Sequence, residues 1–219
     1  NLDLMFGLPN QTTEDALSDL NDALLCEPLH LSWYQLTIEP NTVFYKKPPV
    51  LPADDLIWET QLAGIDMLAQ HGFQQYEVSA YATSGKQCTH NLNYWEFGDY
   101  LGIGAGAHSK ITDKSTGTIT RFAQVRQPRD YLDATKRVDK NKVTLNENDL
   151  KLEFMLNALR LTDGVPTGVF VERTGLDIKL ITDACDAAKT RGLLLDDPSR
   201  LCPTLLGRRF LNDLIALFI

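Results

Sequence analysis

Within its first 37 residues the chain reads strand, helix, strand, and this pattern restricts the available folds more than any other stretch. Leu2-Asp3-Leu4-Met5-Phe6 is a short apolar run with one acid, and Gly7-Leu8-Pro9 breaks it. From Glu14 to Leu25, the residues Ala16, Leu17, Leu20, Ala23 and Leu24 recur at helical spacing and form a buried face. Thr12 or Thr13 stands where a cap belongs, and acids in the first turn suit the helix dipole. Leu31 to Thr37 reads as a second strand. Strands joined by a crossover helix run parallel, because an antiparallel neighbour would need only a tight turn. The expected class is therefore α/β, with ligands gathered at the carboxyl ends of the strands. Asp3 stands mid-strand among apolar neighbours. Parallel sheets usually bury both faces, so a lone acid there needs a partner, either a ligand or a neighbouring loop.

Further along, Pro40 to Pro52 reads as a long loop holding Phe44, Tyr45 and a Lys-Lys-Pro-Pro run, a lid or a surface excursion. A helix follows from Leu56 to His71, with Asp54 or Asp55 as cap, Ile57, Leu62, Ile65, Met67 and Leu68 as core stripe, and Gly72 as terminator. Gln75 to Tyr81 reads as a third strand, His90 to Trp95 as a short helix, Tyr100 to Gly104 as a fourth strand, and Thr118 to Phe122 with Ile111 as a hairpin. The character changes near Pro128. Tyr131 to Lys136 opens a helical region, and Lys136-Arg137 and Lys140 to Lys142 mark an exposed link. Helices are expected over Asn148–Leu161, Pro166–Glu172 and Leu176–Arg191. Leu193 to Leu195 and Leu201 to Thr204 then flank a turn at Asp196 to Ser199, before a last helix over Leu206–Phe218. Helices, a two-stranded wing and a final helix describe a winged-helix-like domain.

The chemistry concentrates between His90 and Lys110, which hold two of the four histidines, Tyr94, Trp95 and a glycine-rich run. In a strand, Gly102, Gly104 and Gly106 would strip side chains from one face and admit a flat ligand, or a tightly packed helix. The glycine run lacks the strand-turn-helix setting and the following acid of a dinucleotide fingerprint. His90, with Tyr94 and Trp95 about one helical turn on, could ligate haem iron beside stacking rings, or be a packed histidine. His108 reads the same way. His30 and His71 read as helix-end residues without function, and Glu39 and Glu77, close to strand ends, as an acid or base or, in preference, as solvated carboxylates.

Net charge of −8 argues against a nucleic-acid partner, including through the winged-helix-like domain, since such surfaces are basic. No apolar run approaches the roughly 20 residues needed to span a bilayer and no signal peptide opens the chain, so the expected location is cytoplasmic. Cys26, Cys88, Cys185 and Cys202 stand too far apart for a self-contained metal motif. A start without Met, directly in a strand, suggests a piece of a longer protein.

Four segments occur together in a recognisable order: Asn1 to Pro9; Leu36-Thr37-Ile38-Glu39-Pro40-Asn41-Thr42 with Phe44-Tyr45-Lys46; His90-Asn91-Leu92-Asn93-Tyr94-Trp95; and Gly102 to Ser109. Together they resemble the oxygen-independent coproporphyrinogen III oxidase-like radical S-adenosylmethionine (SAM) proteins, more closely the haem chaperone branch. The resemblance implies the C-terminal part of an open (β/α) barrel over residues 1–125 and the family's winged-helix-like C-terminal domain over 126–219. By the same resemblance Asp3, Thr37 and His108 contact SAM, and His90, Asn91, Tyr94 and Trp95 match the element linked with haem. The oxidases carry a different element there, which favours binding haem and passing it to an acceptor protein over oxidative decarboxylation of a porphyrinogen. A plain interaction module is the third reading. The family's Cys-x-x-x-Cys-x-x-Cys motif, which holds the 4Fe-4S cluster, and its Gly-Gly-Gly-Thr-Pro segment are absent from this sequence. The implied full-length protein carries both, and this part alone is expected to be catalytically inactive, with no catalytic residue of its own.

Overall fold

A computed structural model describes residues 1–133 and 142–219, which form two compact units, Asn1–Cys88 and Thr89–Ile219. The expected exposed link at Lys136, Arg137 and Lys140 lies outside the described residues.

The first unit contains β1 (Leu2–Phe6), α1 (Thr13–Leu24), β2 (His30–Gln35), α2 (Val43–Lys46), α3 (Asp54–Gln70), β3 (Gln74–Glu77) and β4 (Ala80–Ala82). The expected βαβ crossover is present, with β1 and β2 parallel and Asp3 opposite Ser32. Thr12 caps α1 and forms a reciprocal capping box with Asp15, satisfying two helix-end donors. Leu20, Ala16 and Ala23 of α1 and Ile57 and Leu68 of α3 pack on Phe6, Leu31, Trp33 and Tyr81 of the sheet. Alternation puts Asp3 and Met5 of β1 on the exposed side. Burial of both sheet faces, expected from parallel pairing, therefore does not hold for Asp3 in this chain.

Three local expectations need correction. The third strand is a hairpin: β4 lies between β2 and β3 and is antiparallel to both. Glu77 makes the turn, its Oε1 accepting from the Ser79 N–H at 3.0 Å and the Ser79 hydroxyl at 3.1 Å. Neither Asp54 nor Asp55 caps α3, since Ala53 holds the cap position without a side-chain bond. The buried stripe of α3 is Ile57, Thr60, Gly64 and Leu68, and Leu62 is exposed. The Trp33 indole lies against Gly64, where a Cβ would come within 1.9 Å of it, and this contact sets the rotation of the helix.

The second unit contains α4 (Thr89–Trp95), β5 (His108–Asp113), β6 (Thr118–Ala123), α5 (Pro128–Leu132), β7 (Val143–Thr144), α6 (Glu147–Ala158), β8 (Val165–Pro166), α7 (Thr167–Thr174), α8 (Lys179–Thr190), β9 (Arg200–Leu201), α9 (Leu205–Arg209), α10 (Leu211–Ile215) and a closing 3-10 turn, Ala216–Phe218. The expected hairpin is β5–β6, extended by β7. Its core joins Phe97, Phe154 and Phe170 edge to face, at 5.8 and 5.2 Å between centroids. The wing is held by the Leu195 N–H to Cys202 carbonyl bond of 2.9 Å and the Thr204 N–H to Leu193 carbonyl bond of 3.0 Å. The expected last helix breaks at Phe210, whose φ of −111° and ψ of 46° leave the helical region.

The packing boundary at Cys88 differs from the sequence boundary at residue 125 because the β5–β6 hairpin is tied to α6. Arg121 Nε of β6 lies 2.7 Å from Glu153 Oε2 of α6.

Candidate functional site

The site is built outward from α4. This helix is one and a half to two turns long, and its end is fixed by side chains rather than by propensity. Phe97, buried to 1%, takes a φ of 59°, a conformation uncommon for a residue with a Cβ. The chain then turns back, with the Gly98 N–H donating to the Asn93 carbonyl at 2.7 Å and Asn93 Nδ2 to the Asp99 carbonyl at 3.0 Å. Asp99 in turn binds β5: its carboxylate accepts from the Thr112 N–H at 2.9 Å, the Thr112 hydroxyl at 2.8 Å and Lys110 Nζ at 3.2 Å. Lys110 is buried, and its ammonium lies 4.1 Å from the Phe97 ring centroid. Helix α4 and strand β5 are thus strapped together through Asp99, by its carbonyl on the helix side and its carboxylate on the strand side.

On α4, His90 is exposed in the first turn and makes no hydrogen bond among the described residues. At about 100° per residue, Tyr94 lies about 40° from His90 around the helix axis and Trp95 about 140°. Tyr94 therefore shares the imidazole's side. Trp95 turns to the segment just after α6, where Arg160 Cζ lies 4.4 Å from the indole ring centroid, and its Nε1 is buried with no hydrogen-bond partner among the described residues. The expected continuous imidazole-and-aromatic face thus reduces to His90 and Tyr94, while Trp95 anchors the helix. Tyr94 packs 4.9 Å from Tyr100, whose hydroxyl is pushed up to about 12 by burial and by the Tyr94 hydroxyl beside it. Asn91 is half-buried.

The glycine run is not a strand. Only Tyr100 bridges to Lys110, and φ values of 112° at Gly104 and 74° at Gly106 turn the chain back into β5. The Gly102 N–H donates to Ser109 Oγ at 2.8 Å and the Gly104 N–H to the Tyr131 hydroxyl at 3.1 Å. His108 opens β5 opposite Ala123 and is exposed. It borders a cleft of about 670 Å3 whose walls include Arg121, Arg126, Val143, Leu145 and Glu153.

The first unit carries Asp3 and Thr37. The Ser32 hydroxyl and the Asn1 amide bound to Asp3 hold its carboxyl below the usual range. Thr37 donates to Glu39 Oε1 at 2.9 Å. Asp3 is in register with Ser32, so Thr37 lies five residues beyond that level, roughly 16 Å along the strand direction. The pair is not in mutual contact, and His108 belongs to the other unit. His30 corrects the sequence reading. It begins β2 rather than ending a helix, and both ring nitrogens are engaged, Nδ1 with Asn1 Oδ1 at 2.6 Å and Nε2 with the Tyr76 hydroxyl at 2.7 Å. Glu77, expected in solvent, is 2% exposed. His71 does sit at a helix end, bonded to the Met67 carbonyl at 2.8 Å. Lys110 and the Arg121–Glu153 pair gave no sequence signal, because only the β5–β6 register and the approach of α6 bury them. The four cysteines are free, and no group of three or more His, Cys, Asp or Glu among the described residues could hold a metal ion. These residues do not fit an iron-sulfur cluster. An exposed imidazole beside a tyrosine ring is the kind of donor that would hold haem iron.

Comparison with known proteins defines the class. Residues 145–210 match the HemN C-terminal domain. The fold matches coproporphyrinogen III oxidase (HemN) from Escherichia coli, described as a radical SAM enzyme, with a TM-score of 0.72 and 19% identity, covering 99% of this chain and 54% of that one. The chain thus carries the HemN C-terminal domain and shares the fold of part of that enzyme. More particularly, all 219 residues align with proteins named heme chaperone HemW. The Haemophilus influenzae protein is 47% identical and the Escherichia coli K12 protein 46%. The chain spans 56% and 57% of the length of these two relatives.

Proposed function

We propose that the protein to which this chain belongs is a haem chaperone, which binds haem and passes it to an acceptor protein. The supporting observation is 47% identity, without a gap in coverage, to a protein carrying that name. In this reading His90 is the iron ligand, Asn91 and Tyr94 belong with it to the haem element, and Trp95 completes that element while packing on Arg160. Residues 1–125 are the last part of an open (β/α) barrel, and 126–219 are the family's C-terminal domain, which contains the matched segment 145–210. By the resemblance to radical SAM proteins, the full-length protein uses a 4Fe-4S cluster and SAM. Asp3, Thr37 and His108 are proposed for the adenosine end of SAM, and no cluster ligand is assigned within this chain. A cytoplasmic location is part of the proposal. No helix among the described residues is long and apolar enough to cross a membrane.

The test is a haemin titration of the full-length protein, read at the Soret band. A saturable shift that His90→Ala abolishes is expected. Unchanged binding in that variant refutes the role of His90. Formation of protoporphyrinogen IX from coproporphyrinogen III by the reconstituted protein would overturn the chaperone reading in favour of the oxidase.

A further inference from the structure

The cleft bordered by β6, β7 and α6 is not used by any residue assigned above except His108, at its edge. Its volume of about 670 Å3 lies within the range of about 300–1,000 Å3 typical of small-molecule sites. Its walls differ in character. Val143, more than half exposed, and Leu145 give an apolar side, and Arg121 and Arg126 give a cationic one. Two acids also line it, and each already has a partner. Asp149 accepts from the Asn146 N–H at 3.0 Å as part of the α6 cap. Glu153 faces Arg121 at 2.7 Å, which fixes that guanidinium in place. Arg126 is exposed and makes no ion pair among the described residues. The cleft therefore presents one uncommitted guanidinium and a second, positioned one beside exposed apolar surface. That combination suits a flat apolar molecule with carboxylates on one edge, because a guanidinium binds a carboxylate through two parallel N–H donors.

One ring contact and one backbone bridge connect α4 with the strand that borders this cleft. Tyr94 stacks on Tyr100, and Tyr100 pairs with Lys110 of β5, two residues along from His108. We infer that the cleft holds the propionate edge of haem, with Arg126 as the carboxylate ligand. The inference rests on the haem reading above and deepens it by assigning the end of the molecule that His90 does not hold.

The experiment compares haemin with haemin dimethyl ester, whose propionates are uncharged, on full-length wild-type protein and on Arg126→Ala and Arg126→Lys, by absorbance titration at low and high salt. Wild type should bind haemin about tenfold more tightly than the ester, and the preference should shrink with salt. Arg126→Ala should lose the preference while its affinity for the ester is unchanged, and Arg126→Lys should restore part of it. Because Arg126 is exposed, these substitutions leave the fold intact. Equal affinity of wild type for the two ligands, or an unchanged preference in Arg126→Ala, overturns the cleft assignment and leaves the haem reading standing. Absence of any Soret change with either ligand in wild type overturns both.

Discussion

The strap between α4 and β5 makes an asymmetric expectation about stability. Asp99→Ala removes the carboxylate that faces Lys110 Nζ at 3.2 Å and leaves an ammonium that is 1% exposed as a residue. Breaking a buried ion pair from one side costs about 3–5 kcal/mol, because the remaining charge is desolvated without compensation. Here the Asp99 side chain is 39% exposed, so water partly screens the pair, and the Phe97 ring continues to face the ammonium. An expected cost of about 2–3 kcal/mol follows, including the lost bonds to Thr112. Lys110→Met replaces the buried cation with an apolar chain of similar length. Asp99 then keeps both Thr112 bonds and its contact with solvent, so the expected cost is below about 1 kcal/mol. The pH dependence gives an independent sign. Burial holds the Lys110 pKa below its ordinary 10.5, although Asp99 opposes this. Between the folded value and 10.5 the unfolded chain binds more protons, so this group makes stability rise with pH across that window, and Lys110→Met should flatten the rise. Urea unfolding at pH 7 and at several alkaline values, followed by near-ultraviolet circular dichroism, measures both effects. A Lys110→Met cost equal to or greater than that of Asp99→Ala would refute the reasoning.

Two further outcomes test the first unit. Gly64→Ala places a Cβ 1.9 Å from the buried Trp33 ring, and should cost about 3 kcal/mol, the upper end for overpacking; a urea midpoint within 1 kcal/mol of wild type would mean that Trp33 does not pack there. His30 is held below its ordinary 6.5, mainly by burial, so the unfolded chain binds the extra proton first. Its contribution is present above pH 6.5 and is lost as pH falls through the window below it. Acidification from pH 7.5 to 5 should therefore destabilise wild type more than His30→Asn, and equal loss in the two would remove His30 from the explanation.

The sequence signals that held were those in which neighbours along the chain carry the physics. The βαβ unit was legible because Ala16, Leu20 and Ala23 repeat at helical spacing, and because a crossover leaves only one strand direction. The Thr12 cap, the short helix at His90 and the β5–β6 hairpin were legible for the same local reasons. His90, Asn91, Tyr94 and Trp95 fall on one short helix, as their spacing suggested. Elsewhere a local pattern had two solutions. Gln75 to Tyr81 alternates well enough for one strand, and the Glu77 carboxylate folding onto Ser79 makes it two. Gly102 to Gly106 alternates as a bare strand face would, but positive φ values turn it into a loop.

By itself, then, the sequence determined the βαβ unit with its parallel crossover, the cap of its helix and the short helix that carries His90, all short-range consequences of side-chain spacing and capping. Tertiary structure alone decided that Trp95 packs on Arg160, that Lys110 and Glu77 are buried, and that His30 joins Asn1 to Tyr76. It also decided that Arg121, Arg126, Val143 and Leu145 line one cleft. These depend on which distant segments exclude water from one another. Desolvation is set by the neighbours in space, and a residue's neighbours along the chain do not specify them.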